Sequence, residues 1–132
     1  MKVIKKYGLS ILLCLVILVL CFMNVSALPE APMTDFDKVA HFVMFLGLSG
    51  VVFFDNTLYL KLRTSCRRIV LGSFLFPTLF SGVIELMQEH FTVNRSGDWM
   101  DFVFDAIGSS VGLAICLIIN RRLGKEKTGI PR

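Results

Sequence analysis

Four long stretches nearly free of charge decide what this chain can fold into, because each can cross a hydrocarbon core about 30 Å thick as an α-helix. No charged residue occurs from Tyr7 through Pro29, and further apolar runs follow at about Asp37 to Phe54, Ile69 to Gln88 and Met100 to Ile119. Of the 132 residues, 18% are charged, below the quarter typical of a soluble domain, and the charges avoid these runs. The expected fold is all-α: a small multi-pass transmembrane helical bundle of about four helices. It divides into a first transmembrane helix at 1–29, a helical membrane domain at 30–120 and a basic tail at 121–132.

The first segment has a competing reading as a signal peptide, with Lys2, Lys5 and Lys6 as its basic head and Val25-Ser26-Ala27 resembling a cleavage site. Its apolar run is long for that purpose, so a retained helix or uncleaved signal anchor is expected. Pro77 should bend the third run, with Thr78 and Ser81 helping to satisfy the freed carbonyls. Gly47 and Gly50 in the second run, and Gly108 and Gly112 in the fourth, offer surfaces on which helix backbones approach closely.

Orientation follows from the basic residues, which accumulate in cytoplasmic loops. If the chain crosses four times, twelve of its fourteen Lys and Arg fall on one side, leaving only Lys38 and Arg95 opposite. That opposite side holds eight of the ten acids: Glu30, Asp35, Asp37, Glu85, Glu89, Asp98, Asp101 and Asp105. The expected location is the bacterial cytoplasmic membrane with both termini cytoplasmic, and the basic Lys61 to Arg68 loop is read first as an orientation signal. The formal charge of +4 lies between spans rather than on a surface with stacking aromatics, so no nucleic-acid partner is expected. Cys14, Cys21, Cys66 and Cys116 have no metal-site spacing and are read as free thiols.

The outer face carries the chemistry. Asp37, Lys38 and His41 lie in the first turns of the second span, with Asp37 and His41 four apart on one helical face. Glu85, Gln88 and Glu89 share a face at the end of the third, followed by His90, which reads as interfacial. Asp98, Asp101 and Asp105 form one stripe at the start of the fourth, with Asp105 about 10 Å deeper than Asp98 at 1.5 Å per residue. An ionisable group at such depth costs on the order of 2.5 to 3.5 kcal/mol and therefore faces protein or water. Asp98 and Asp101 have a plain alternative as residues that cap and complement a helix N-terminus. Glu85 and Glu89 lie where the helix dipole opposes their charge, so their compensation must come from elsewhere. Between Asp37 and Asp105 this face holds six acids against two permanent cations, Lys38 and Arg95, an imbalance that points to a ligand site.

The segments Asp37-Lys38-Val39-Ala40-His41, Gly82-Val83-Ile84-Glu85-Leu86-Met87-Gln88 and Arg95-Ser96-Gly97-Asp98-Trp99-Met100-Asp101, followed by Ile107-Gly108 and Gly112, resemble the VanZ-like family of bacterial membrane proteins. The resemblance covers most of Asp37 to Gly112. One position departs: members commonly carry Asn where this chain has Asp105, so a neutral hydrogen-bonding role is not implied there. The family's named member is associated with resistance to the glycopeptide teicoplanin, and the resemblance implies an envelope context of that kind.

The leading expectation is a non-enzymatic envelope protein whose outward pocket of Asp37, Lys38, His41, Glu85, Gln88, Arg95, Asp98, Asp101 and Asp105 binds a cationic or polar group. A cell-wall lipid, an amine or a glycopeptide would supply it. The alternative is a metal-dependent enzyme acting on a lipid-linked envelope substrate, with oxygens of Glu85, Asp98, Asp101 and Asp105 around a divalent ion and His41 as acid or base. No nucleophile elbow, phosphate loop or zinc helix motif supports it, and the two histidines have no ligand spacing, so no metal and no organic cofactor are expected. A proton-coupled carrier and a pure scaffold are further classes. Membrane lipids are the general partner, and a carrier would need a homo-oligomer.

Overall fold

The computed structural model describes residues 6–23, 36–60, 65–91 and 98–126, with the side chains of 58–60 and 124–126 excepted. Arg95, Glu30 and Asp35 lie outside the described residues. The elements in chain order are α1 (Gly8–Phe22), α2 (Phe36–Leu60), α3 (Cys66–Val70), a π-helical turn (Leu71–Leu75), α4 (Phe76–Phe91) and α5 (Trp99–Glu126). Three segments are long and apolar enough to cross a membrane: Phe36–Thr57, Cys66–Phe91 and Trp99–Leu123. The described part of the first span is shorter, the 15 residues of α1, about 22 Å at 1.5 Å per residue. The all-α multi-pass bundle expected from the sequence is the fold observed.

Polarity is arranged inside out, as a lipid solvent requires. Leu79, Val83, Leu86, Ile107, Ile115 and Ile118 are exposed, while His41, Ser49, Asp55, Ser81, Glu85, Asp105 and Ser109 are buried. In water, so much exposed Leu, Val and Ile would be an aggregation surface, whereas in lipid it is the contact with the solvent. The apolar core that remains is small, centred on Ile17, Cys21, Phe45, Leu48, Val52 and Ile84.

α2 and α5 form the central seam and run parallel. His41 meets Asp105 at one end, and Cys116 Sγ donates to the Ser49 carbonyl further along at 3.9 Å. Gly108 and Gly112 make the approach feasible: a Cβ on Gly108 would collide with the Phe42 carbonyl oxygen, and one on Gly112 would lie 2.5 Å from Ser49 Cβ. Gly47 and Gly50 do not play the role expected of them, since a Cβ at either position meets nothing within 4 Å. Gly50 instead lines an open apolar groove with Gly112, Ile115 and Cys116, and of the two pairs the fourth-span one stands at the close backbone approach.

Pro77 is accommodated by a local change of helix winding. It cannot donate a backbone hydrogen bond, and its ring would press on the preceding turn. The helix answers with the wide π turn at Leu71–Leu75 just before it and then continues as α4. Neither Thr78 nor Ser81 repairs the backbone: Thr78 Oγ1 has no partner among the described residues, and Ser81 Oγ donates to Asp105. Ser65 caps α3 by accepting from the Arg68 amide at 3.4 Å.

α1 is pinned to the bundle at both ends. The Ser10 amide and hydroxyl both donate to Asp55 Oδ2, at 3.0 and 2.7 Å, and Tyr7 Oη donates to Asn56 Oδ1 at 3.0 Å. Near the other end, Gln88 Nε2 donates to the Cys21 carbonyl at 2.8 Å. α2 thus runs past the expected boundary at Phe54 to include a buried acid, Asp55, and α5 continues through Arg121 and Arg122 to Glu126.

Candidate functional site

The start of α2, the end of α4 and the start of α5 meet at one end of the bundle, and His41 stands where they meet. The ring is 1% exposed. Its Nδ1 lies 3.1 Å from Asp105 Oδ1 and 3.3 Å from Oδ2, and since a carboxylate accepts, Nδ1–H is the donor. Asp105, also 1% exposed, accepts a second hydrogen bond from Ser81 Oγ. One residue from each of three helices is thereby locked in a chain running Ser81, Asp105, His41. With Nδ1 donating to Asp105, Nε2 is the ring nitrogen left to face Asp101 Oδ2, at 3.8 Å.

Asp101 is 8% exposed, so the plain reading of it as a residue complementing the helix terminus is incomplete. Asp98 does fit that reading. It is exposed, its Oδ1 accepts from the Met100 amide at 2.8 Å, and its carbonyl accepts from the Asp101 and Phe102 amides, which makes it the N-cap of α5. The Asp98 amide in turn donates to Glu85 Oε2 at 2.9 Å, tying α4 to the start of α5.

Glu85 has the least balanced surroundings. It is 8% exposed, and its Oε1 is sealed from solvent without a hydrogen-bond partner among the described residues. Ligand-capable atoms of His41, Glu85 and Asp105 lie within 4.8 Å of one another, and so do those of Asp37, His41 and Asp101. An orphaned buried carboxylate oxygen costs free energy unless something donates to it or coordinates it.

The remaining expected site residues separate. Asp37 is exposed at the rim and joins His41 and Asp101; Lys38 is half-buried in the first turn of α2. Gln88 is buried and ties α4 to α1, while Glu89 is exposed and His90 Nδ1 lies 2.9 Å from the Leu86 carbonyl of its own helix. Arg95 lies outside the described residues. Ser81 was not expected in the site, although its spacing four before Glu85 and seven before Gln88 puts all three on one helical face. Beside the cluster, an apolar groove of about 310 Å³ between α4 and α5 is lined by Leu79, Val83, Leu86, Phe102 and Trp99 and has Glu85 in its wall.

A helical membrane protein with a buried His–carboxylate cluster at one end is the class that fold and site define. Within that class the chain belongs to the VanZ/LLP1 family, whose family model matches residues 5–120. No curated protein and no solved structure matches it.

Proposed function

We propose that this chain is an envelope protein of the bacterial cytoplasmic membrane, with both termini cytoplasmic, and that its outward-facing cluster of His41, Glu85, Asp101 and Asp105 binds a cationic group of an envelope component. Its physiological setting is tolerance of glycopeptides of the teicoplanin type. The observation that carries this reading is Glu85, a buried carboxylate with one oxygen unpartnered among the described residues, within ligand distance of His41 and Asp105. A buried acid held that way favours a cation arriving from outside. The adjoining groove supports a ligand with an apolar tail, because Leu79, Val83 and Phe102 line it with Glu85 in the same wall. The twelve basic residues on the opposite side support the orientation.

The test is glycopeptide susceptibility in a host lacking its own copy, comparing wild type with Glu85→Gln and Asp101→Asn at equal membrane levels. Both variants are expected to lose most of the protection. Variants that insert normally and protect as well as wild type would show that the cluster is not the working part.

A further inference from the structure

We infer that the cation taken by this cluster includes a divalent metal ion, held by His41 Nε2 and the carboxylates of Asp101, Glu85 and Asp37, with Asp105 and Ser81 as the residues that orient the imidazole. The inference rests on the cation-binding reading above and deepens it by naming the ligand class.

Asp37 and His41 stand four apart on one helical face, but with a single histidine in the set the residues form no recognised metal motif, which is why the sequence points away from a metal. The donors come together across helices as two sets that share His41: Asp37 and His41 of α2 with Asp101 of α5, and His41 with Glu85 of α4 and Asp105 of α5, so the imidazole is where one ion would join them. Three observations carry the site. First, a metal-bound imidazole nearly always gives its other ring N–H to a carboxylate, and His41 does so to Asp105 at 3.1 Å, while Ser81 fixes Asp105 in turn. That support leaves Nε2 aimed at the remaining acids. Second, His41 Nε2 and Asp101 Oδ2 are 3.8 Å apart, too far for a hydrogen bond. Two donors each about 2.1 Å from one ion stand about 3.0 Å apart when adjacent and about 4.2 Å when opposite, so the 3.8 Å gap lies between these limits and admits an ion after a small adjustment of the Asp101 side chain. Third, Glu85 Oε1 is buried and has no partner among the described residues while Oε2 is occupied by the Asp98 amide, which leaves one oxygen of a fixed carboxylate available to coordinate.

The donor set decides the kind of ion. One imidazole with several carboxylates suits Mn²⁺ or Zn²⁺ better than Ca²⁺ or Mg²⁺, which prefer all-oxygen surroundings. Asp37, exposed at the rim, gives the ion a route from the outer surface without crossing the apolar core.

The experiment uses the full chain in lipid nanodiscs, titrated with Mn²⁺ and read by electron paramagnetic resonance, with pulsed spectra reporting nitrogen coupling. One Mn²⁺ per chain is expected, with coupling to a histidine nitrogen that changes when histidine is ¹⁵N-labelled and persists in His90→Gln. Glu85→Gln and Asp101→Asn are each expected to weaken binding at least tenfold, and Glu89→Gln, on an exposed side chain of the same helix, to leave it unchanged. Labelling of the wild-type chain keeps the nitrogen readout available even if His41→Ala fails to insert. Absence of saturable Mn²⁺ and Zn²⁺ binding, loss of the nitrogen coupling in His90→Gln, or equal weakening by Glu89→Gln would overturn the inference. If long-chain alkylammonium ions raise the thermal stability of the wild-type chain but not of Glu85→Gln while metals do not bind, the metal is refuted and the cation pocket stands. If neither class binds, both readings fail.

Discussion

Replacing Asp105 with alanine removes the acceptor shared by His41 Nδ1 and Ser81 Oγ, both buried at the junction of three helices. Hydrogen bonds between membrane helices average about 0.6 kcal/mol and reach about 1.7 kcal/mol. A buried polar group left without a partner costs about 1 to 3 kcal/mol. Two lost bonds with two stranded groups that share one small cavity give an expected destabilisation of about 2 to 4 kcal/mol. Asp105→Asn keeps an oxygen for the His41 Nδ1–H and turns an amide toward Ser81 Oγ, which can rotate to accept it. It forfeits only the charge assistance, about 1 kcal/mol. Ser81→Ala removes one of the two bonds, about 0.6 kcal/mol. Steric-trapping or SDS-titration unfolding in mixed micelles measures all three, and the order Ala, Asn, then Ser81→Ala is the signature of a shared acceptor. Asp105→Ala within about 0.5 kcal/mol of wild type would refute the three-residue chain as a structural unit.

Gly108→Ala is expected to cost about 1 to 3 kcal/mol in the same assay, because its methyl would collide with the Phe42 carbonyl, whereas Gly47→Ala is expected to be neutral or to gain up to about 1 kcal/mol. At the opposite end of the bundle, Asp55→Ala is expected to loosen α1 by about 1 to 3 kcal/mol, since Ser10 loses the acceptor of two hydrogen bonds. Ser10→Ala, which keeps the amide bond, is expected to cost only about 0.6 kcal/mol, and proteolytic nicking before α2 in detergent reads both.

The helical bundle was legible because lipid leaves few choices: runs of some twenty apolar residues have to satisfy their backbone internally, and the spans expected from the sequence fall inside α2, the α3–α4 segment and α5. The boundaries were less legible, since Asp55 looks like the end of a span until Ser10 is found donating to it from another helix. The site was legible as a set of residue types at one depth, but not as a set of roles. Spacing of three and four groups Glu85, Gln88 and Glu89 on one face, yet Gln88 turns to the Cys21 carbonyl and Glu89 stays exposed. Asp98 and Asp101 are equivalent near a helix N-terminus until burial separates them, one a cap and the other facing His41 Nε2. Ser81 was assigned to the backbone around Pro77 because local repair is the usual work of a serine beside a proline, and its real partner lies 24 positions along the chain. Partnerships across helices depend on which faces meet, and in α2 and α5 that is decided by Gly108 and Gly112.

Sidedness of the cluster is open to one direct measurement, labelling of intact spheroplasts with a membrane-impermeant maleimide. Exposed Cys66 serves as the native reporter at the far end of the bundle, and Asp37→Cys and Asp98→Cys, each in a Cys66→Ser background, report the site end. Reaction at both introduced cysteines, with Cys66 protected until the membrane is permeabilised, is the expected result. Labelling of Cys66 from outside, or of only one of the two introduced cysteines, would contradict a single outward-facing site built by α2, α4 and α5.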